Sequence, residues 1–420
     1  PLPPPPPGSA EQLIPEGPAV PRIEVRLANA DPTLVRGRLS TARRARDYTI
    51  TVDQPAHLVA EKMLSLAPAP MSRAFFTNSG SDANESVVKL LWMTWAAEGK
   101  PKRRKLLTRK NAYHGATVMA SALTGKDYVK AFGLPGPEIV MLDCPHAWRF
   151  AHDGETDEEF AARLARNLEQ RILAEDPDTI AGMFAEPIMG AGGVIVPPAT
   201  YFAKIQPILK NYGIPLVADE VICGFGRTGK LWGSSAVGQT PDIVVASKSM
   251  SAGYFPMGAV LLSSDIDKRA TAASTVWEEF PHGFTTGGHP VGCAISLEAI
   301  RIITEEGVFE NVVSVGQHFQ AGLRALADHP MIGEARGLGL MGALEAVADK
   351  KTKQSFSGDL RIGERIAKEA RDRGFIIRPL GSSIVLAPPF ISTRNQIEEL
   401  LAVLKEVLDV VYDQIKGRVV

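Results

Sequence analysis

Between about Phe75 and Gly258 the chain alternates short, β-branched apolar runs with amphipathic stretches of helical period, and this alternation leaves few folds open. Strands that alternate with helices build a mostly parallel sheet covered on both faces. Runs 105–108, 180–184, 215–218 and 243–246 are apolar enough to be strands buried on both sides. Segments 157–174 and 200–212 read as helices between them. Thr156 caps the first, with Asp157, Glu158 and Glu159 against the positive end of its dipole, and Gly213 ends the second.

A chain of 420 residues is too long for one core, because single cores stop growing at roughly 250–300 residues. The pattern changes beyond Gly288, where helices at 289–305 and 309–328 precede a strand at 337–346, a helix ending before Gly374, two short strands and a final helix from Thr393. We therefore expect an α/β fold with a large domain over 55–309, opened by a short helix at 55–67, and a smaller α+β domain over 310–420. Residues 1–22, with Pro3 through Pro7 consecutive, read as an extended or disordered arm, and 23–54 as an atypical N-terminal segment.

A formal net charge of −1 gives no global field to draw nucleic acid or an anionic membrane, which leaves small-molecule chemistry. Cys144, Cys223 and Cys293 are odd in number and far apart, so they suggest neither a disulfide framework nor a metal site. No apolar run reaches the ~20 residues that cross a bilayer, and the first residues lack a secretory pattern, so a cytoplasmic location is expected.

In an open parallel sheet, ligands bind beyond the carboxyl ends of the strands. There the sequence places Glu186 after one strand, Asp219 and Glu220 after the next, and Lys248 after a third. A lysine at the end of a buried strand is partly desolvated, which lowers its pKa and frees a nucleophilic amine for Schiff-base chemistry. Asp219 is placed to pair with a protonated pyridine nitrogen. The plainer alternative is a structural ion pair at a loop edge.

A second group offers an anion site. Asn78, Ser79, Gly80 and Ser81 follow Phe75-Phe76-Thr77 and open an amphipathic helix, so backbone N–H groups and the Ser81 hydroxyl can meet a phosphate at the helix N-terminus. An ordinary serine cap would look the same. Tyr113-His114-Gly115 supplies an aromatic ring to stack on a flat cofactor, or merely to pack. Gly224-Phe225-Gly226-Arg227-Thr228-Gly229 spells the dinucleotide fingerprint, but its first glycine does not end a strand and 230–235 does not read as a helix, so we set it aside.

Taken in order, these stretches resemble the class III (omega) aminotransferases of pyridoxal-phosphate fold type I, in their amine:pyruvate-like branch. The resemblance runs from Phe75 to about Arg394 and adds Ala185-Glu186-Pro187, Gly253-Tyr254-Phe255-Pro256-Met257-Gly258, His282-Gly283-Phe284-Thr285 and Arg378-Pro379-Leu380-Gly381. It implies pyridoxal 5'-phosphate held by Lys248 as a Schiff base, its ring nitrogen by Asp219, and its ring between Val221 and Tyr113. Ser79, Gly80 and Ser81 would bind the phosphate together with the Phe284 backbone and Thr285 hydroxyl of a neighbouring subunit, which implies a homodimer. His114 and Glu186 would line the cofactor site, and Arg378 would take the carboxylate of a keto acid. The implied activity is ping-pong transfer of an amino group from a primary amine or omega-amino acid to a small keto acid such as pyruvate. Aminomutase or decarboxylase chemistry on the same scaffold, or cofactor binding with weakened turnover, are the alternatives. Two departures stand out: between Ile23 and Gln54 the family's strand hairpin and pocket tryptophan are not legible, and Ser247-Lys248-Ser249 replaces the usual small-Lys-Gly.

Overall fold

The structure, a computed structural model, describes residues 54–134, 138–276 and 279–416, and the backbone of three strands before them. The arm expected at 1–22 lies outside the described residues. The preceding strands are β1 (Ile23–Leu27), β2 (Leu34–Thr41) and β3 (Arg44–Thr51), paired antiparallel in the order β1-β2-β3. This corrects the reading of that stretch as lacking a strand hairpin. Arginine and threonine occupy much of β2 and β3, so the apolar alternation that reveals a strand is faint there.

The large domain is built on seven strands: β4 (Met71–Thr77), β5 (Lys105–Arg109), β6 (Ile139–Leu142), β7 (Ile180–Ala185), β8 (Leu216–Asp219), β9 (Ile243–Ala246) and β10 (Gly258–Ser263). Their order is β4-β10-β9-β8-β7-β5-β6. β6, β5, β7, β8 and β9 pair in parallel, and only β10 runs against both of its neighbours. Every residue of β7, β8 and β9 is buried, as expected for strands covered on two faces. Ile243 and Val245 pack with the helices Gly80–Ala97 and Ser264–Val276, whereas Val244 and Ala246 pack on the opposite side with Gln54–Leu66 and Pro290–Glu305. Each valine or isoleucine so removed from water stabilises the fold by ~1.5–3 kcal/mol.

The helix Asp157–Glu175 begins with the cap expected of Thr156, completed by Glu159 as a reciprocal capping box. Its neighbour Tyr201–Asn211 stops just before Gly213, which has φ +60°.

The smaller domain carries β11 (Ile332–Leu338), β12 (Met341–Ala346), β13 (Arg378–Leu380) and β14 (Ser383–Leu386), antiparallel in the order β11-β12-β14-β13. The single strand expected over 337–346 is thus a hairpin that turns at Gly339 and Leu340. Helices Val308–Ala325, Ile362–Asp372 and Arg394–Ile415 cover one face of this sheet. The other face turns Met341, Ala343 and Val385 against Ile188, Val194 and Cys223 of the large domain.

Candidate active site

Because β4, β5, β7, β8 and β9 point the same way, the residues after them share one rim. Asp219 ends β8 and is 4 % exposed. Its Oδ2 accepts from His114 Nδ1 at 2.8 Å and Asn84 Nδ2 at 2.9 Å, and its Oδ1 from the Val221 N–H at 3.1 Å. Asn84 also donates to the His114 carbonyl at 2.8 Å, which ties the helix Gly80–Ala97 to the turn after β5. His114 is buried edge-on against Phe184 and reaches the site through Asp219 rather than by lining the open space. Asn84 was not singled out in the sequence. An asparagine mid-helix has no local signature when its partner lies 135 residues away.

Lys248 follows β9 with φ +45°, a left-handed conformation that a non-glycine residue adopts at a cost. Its side chain opens into a cavity of about 910 Å³ between the domains, which is also lined by Gly190, Val194, Ile222, Val385 and Arg378. Although the amine faces this space, burial by the surrounding walls pulls its pKa below the usual lysine value, against the opposing pull of Asp219 and Glu186. Glu186, 3 % exposed, accepts from the N–H groups of Tyr113 at 3.1 Å and Gly190 at 2.9 Å, while burial pushes its carboxyl up. The fully buried Arg109 donates to the Glu186 carbonyl at 2.5 Å.

At the other end, Ser79 caps the helix Gly80–Ala97 by accepting from the Asp82 N–H at 3.2 Å. The first N–H groups of any helix lack intrahelical acceptors, so those of Gly80 and Ser81 remain for an anion. Ser81 Oγ accepts from Ala116 N–H at 3.0 Å, which fixes the Tyr113-His114-Gly115 turn against the helix start. Gly80 is required by its neighbour, since a Cβ there would lie 2.6 Å from Val221 Cγ2. Phe284 and Thr285 lie on the loop beside Phe76, where Thr286 donates to Asn78 at 2.9 Å. Among the described residues, neither of them hydrogen-bonds to Ser79, Gly80 or Ser81.

On the small domain, Arg378 is the first residue of β13 and lines the same cavity as Lys248. Its side chain makes no hydrogen bond or ion pair with any described residue. A nucleophilic amine, a buried carboxylate with lone pairs to spare, an open helix N-terminus and an unpaired arginine are the donor set that a phosphorylated pyridine aldehyde and a carboxylate substrate need.

Fold and site together define the class of the pyridoxal-phosphate enzymes with an open, mostly parallel sheet. More narrowly, the chain belongs to the class III aminotransferases: the profile of that family, Aminotransferase class-III, matches residues 42–408. Among curated proteins it is 42 % identical over 387 residues to gamma aminobutyrate transaminase 1, mitochondrial, of Solanum lycopersicum, covering 91 % of this chain and 75 % of that protein. Among solved structures it is similar to the PMP-bound aminotransferase of Vibrio fluvialis, with TM-score 0.85, 52 % identity and coverage of 87 % of this chain and 80 % of that one. An omega-aminotransferase from Paracoccus denitrificans gives TM-score 0.85 and 53 % identity over 87 % of this chain and 81 % of that one. The protein is therefore a pyridoxal-phosphate-dependent aminotransferase acting on small amines and keto acids.

Proposed function

We propose that this aminotransferase accepts an amino group from a primary amine or omega-amino acid and delivers it to a small keto acid, with pyruvate the first candidate. The observation that carries this reading is Arg378, an unpaired cation facing the cavity into which Lys248 opens. A carboxylate bound there is held by a planar, bidentate fork, and an uncharged amine can occupy the same apolar-walled space without it. The names of the relatives, gamma aminobutyrate transaminases and omega-aminotransferases, support donors whose amino group is remote from a carboxylate or accompanied by none.

Bound pyridoxal phosphate supplies an aldehyde that takes up amino groups covalently and a ring that withdraws electrons from the adjoining carbon. The residues of the chain do the rest. Lys248 Nζ would hold the aldehyde, and when free its amine, whose pKa burial lowers, would serve as the base that moves a proton from the substrate carbon to the aldehyde-derived carbon of the cofactor. Asp219 keeps the ring nitrogen protonated, and the bonds from His114 and Asn84 fix the carboxylate's orientation. Tyr113 and Val221 would flank the ring. Ser79, Gly80 and Ser81 would hold the phosphate, completed by the Phe284 backbone and Thr285 hydroxyl of a second copy of this chain, and the working unit would then be a homodimer. Glu186, held by the N–H groups of Tyr113 and Gly190, ties the turn that carries Tyr113 to the cavity loop.

The test is a pair of half-reactions. Holoenzyme mixed with an amine alone should release one equivalent of carbonyl product, change its visible absorbance and stop; pyruvate should then restore the spectrum and release alanine. Carbon dioxide release, or an isomerised product without any keto acid, would contradict the proposal.

A further inference from the structure

The small-domain sheet meets the large domain at two arginines that reach in opposite directions. From the large domain, Arg227 donates to the carbonyls of Leu340 at 2.8 Å and Pro388 at 2.5 Å. From the small domain, Arg336 Nε donates to the Gly193 carbonyl at 2.9 Å. Arg336 is only 9 % exposed, and carboxylates hold it on two sides: Glu334 at 2.6 Å and Glu345 at 2.8 Å. Those carboxylates are themselves tied across the domain boundary, Glu334 to His146 at 2.7 Å and Glu345 to Arg149 at 2.7 Å. Burial alone would push the Glu345 carboxyl up, but Arg336, Ser383 and Arg149 outweigh it and hold it at about 2. Every partner in this network is charged or hydrogen-bonded, which makes it stiff.

Register connects this network to substrate binding. Arg336 pairs with Ala343, Ala343 with Val385, and Val385 with Arg378, so the two arginines occupy one row at opposite edges of the sheet. Directly paired residues point to the same face, and here it is the face that packs Met341, Ala343 and Val385 on the large domain. Three strand spacings separate the two edges, ~14 Å in all. The Gly193 carbonyl belongs to the loop whose Gly190, Ala191 and Val194 wall the cavity and whose Gly190 N–H holds Glu186. Both carboxylates on this face pair with Arg336 and with His146 or Arg149, and at the far edge the Arg378 side chain pairs with none of the described residues.

We propose that Arg336, seated between Glu334 and Glu345 and bound to Gly193, is a positioning residue that sets the reach from Arg378 to Lys248 and so selects acceptors by the distance between their carboxylate and reacting carbon. This rests on the reading of Arg378 as the carboxylate site. With the Gly193 contact broken, the sheet loses its tie to the cavity loop while those from Arg227, His146 and Arg149 remain, so it can shift relative to that loop. The edge that carries Arg378 shifts with it.

The experiment uses holoenzyme with Arg336→Met, Arg336→Lys, Glu345→Gln and Arg378→Leu, and measures KM and kcat separately for pyruvate, 2-oxobutyrate and 2-oxoglutarate as acceptors and for benzylamine as donor. Arg336→Met should raise the pyruvate KM about tenfold, flatten the ranking of the three acceptors, and leave the benzylamine KM within about twofold. Glu345→Gln should do the same more weakly, so a folding failure in one variant leaves the other to decide. Arg336→Lys keeps the charge and should recover part of the ranking. Combined with Arg378→Leu, Arg336→Met should add nothing further to acceptor selectivity. If Arg378→Leu raises acceptor KM while Arg336→Met and Glu345→Gln leave the ranking intact, the positioning role is overturned and the carboxylate site stands. A uniform fall in kcat with equal changes in donor and acceptor KM overturns it in favour of a purely structural role. Acceptor KM unmoved by Arg378→Leu overturns both.

Discussion

Replacing Asn84 by alanine tests whether the buried bond network under the site does what its geometry says. The side chain is fully buried, and its amide donates both to a carboxylate oxygen of Asp219 and to the carbonyl of His114. Truncation removes one charge-assisted bond, worth about 1.5–3 kcal/mol, and strands a buried carbonyl at a further cost of about 1–3 kcal/mol. The expected loss is therefore about 2.5–6 kcal/mol of unfolding free energy. Urea unfolding of the apoprotein reads it through fluorescence, because Trp95 lies on the same helix, packs in the same cluster and donates to the Ala181 carbonyl at 2.9 Å. An isosteric change to aspartate sharpens the test. It sets a second carboxylate at hydrogen-bond distance from Asp219, and two such groups must share a proton. The Asn84→Asp protein should thus be closest to wild type near pH 5 and fall further behind as pH rises toward 8. A loss below about 1 kcal/mol for Asn84→Ala, or no pH dependence for Asn84→Asp, would show that Asn84 does not hold the Asp219 carboxylate in the folded protein.

The domain joint makes a second prediction. Gly339 has φ +58°, and a Cβ there would come within 2.4 Å of the Thr228 carbonyl carbon and 2.5 Å of the Arg227 oxygen, so Gly339→Ala should force the domains apart and lower the melting temperature of the holoenzyme. An unchanged melting curve would contradict the packing of loop 224–229 on the small-domain hairpin. A third concerns pH. Burial pushes the Glu220 carboxyl up to about 7, despite donors from Gly233 and Ser234. The folded state then binds this proton more tightly than the unfolded chain does, so its contribution is full below the usual carboxyl pKa of ~4.3 and is lost as pH rises through about 7. Glu220→Gln should flatten the fall in unfolding free energy across about pH 5–8; an equally steep fall would show that Glu220 is not its source.

Much of the site could be read from the sequence because parallel strands buried on both faces are written as unbroken apolar runs, so their ends stand out. Glu186, Asp219 and Lys248 were found by position alone. Asn84, Arg336 and Glu345 were not, because each works through a partner brought close only by the tertiary fold. The hairpin at β11 and β12 was read as one strand because its turn, Gly339-Leu340, carries no asparagine or aspartate signal; the glycine there answers to the backbone of Arg227 and Thr228. The same contact accounts for the false dinucleotide fingerprint. Gly224 to Gly229 leave room for the small domain to dock, with Arg227 as the tie, and β8 ends at Asp219, five residues before the first glycine. The short helix Gly233–Val237, absent from the sequence reading, comes too late to serve as a phosphate-binding start.

Lys248, and no other amine, is the residue assigned to the cofactor aldehyde. Holoenzyme reconstituted with pyridoxal phosphate, reduced with borohydride and digested, should carry the pyridoxyl mass on the peptide containing Lys248 alone, and Lys248→Ala protein treated identically should carry none. A label on another lysine, such as Lys126, whose pKa burial also lowers, or an unlabelled digest from protein that still transfers amino groups, would contradict the account.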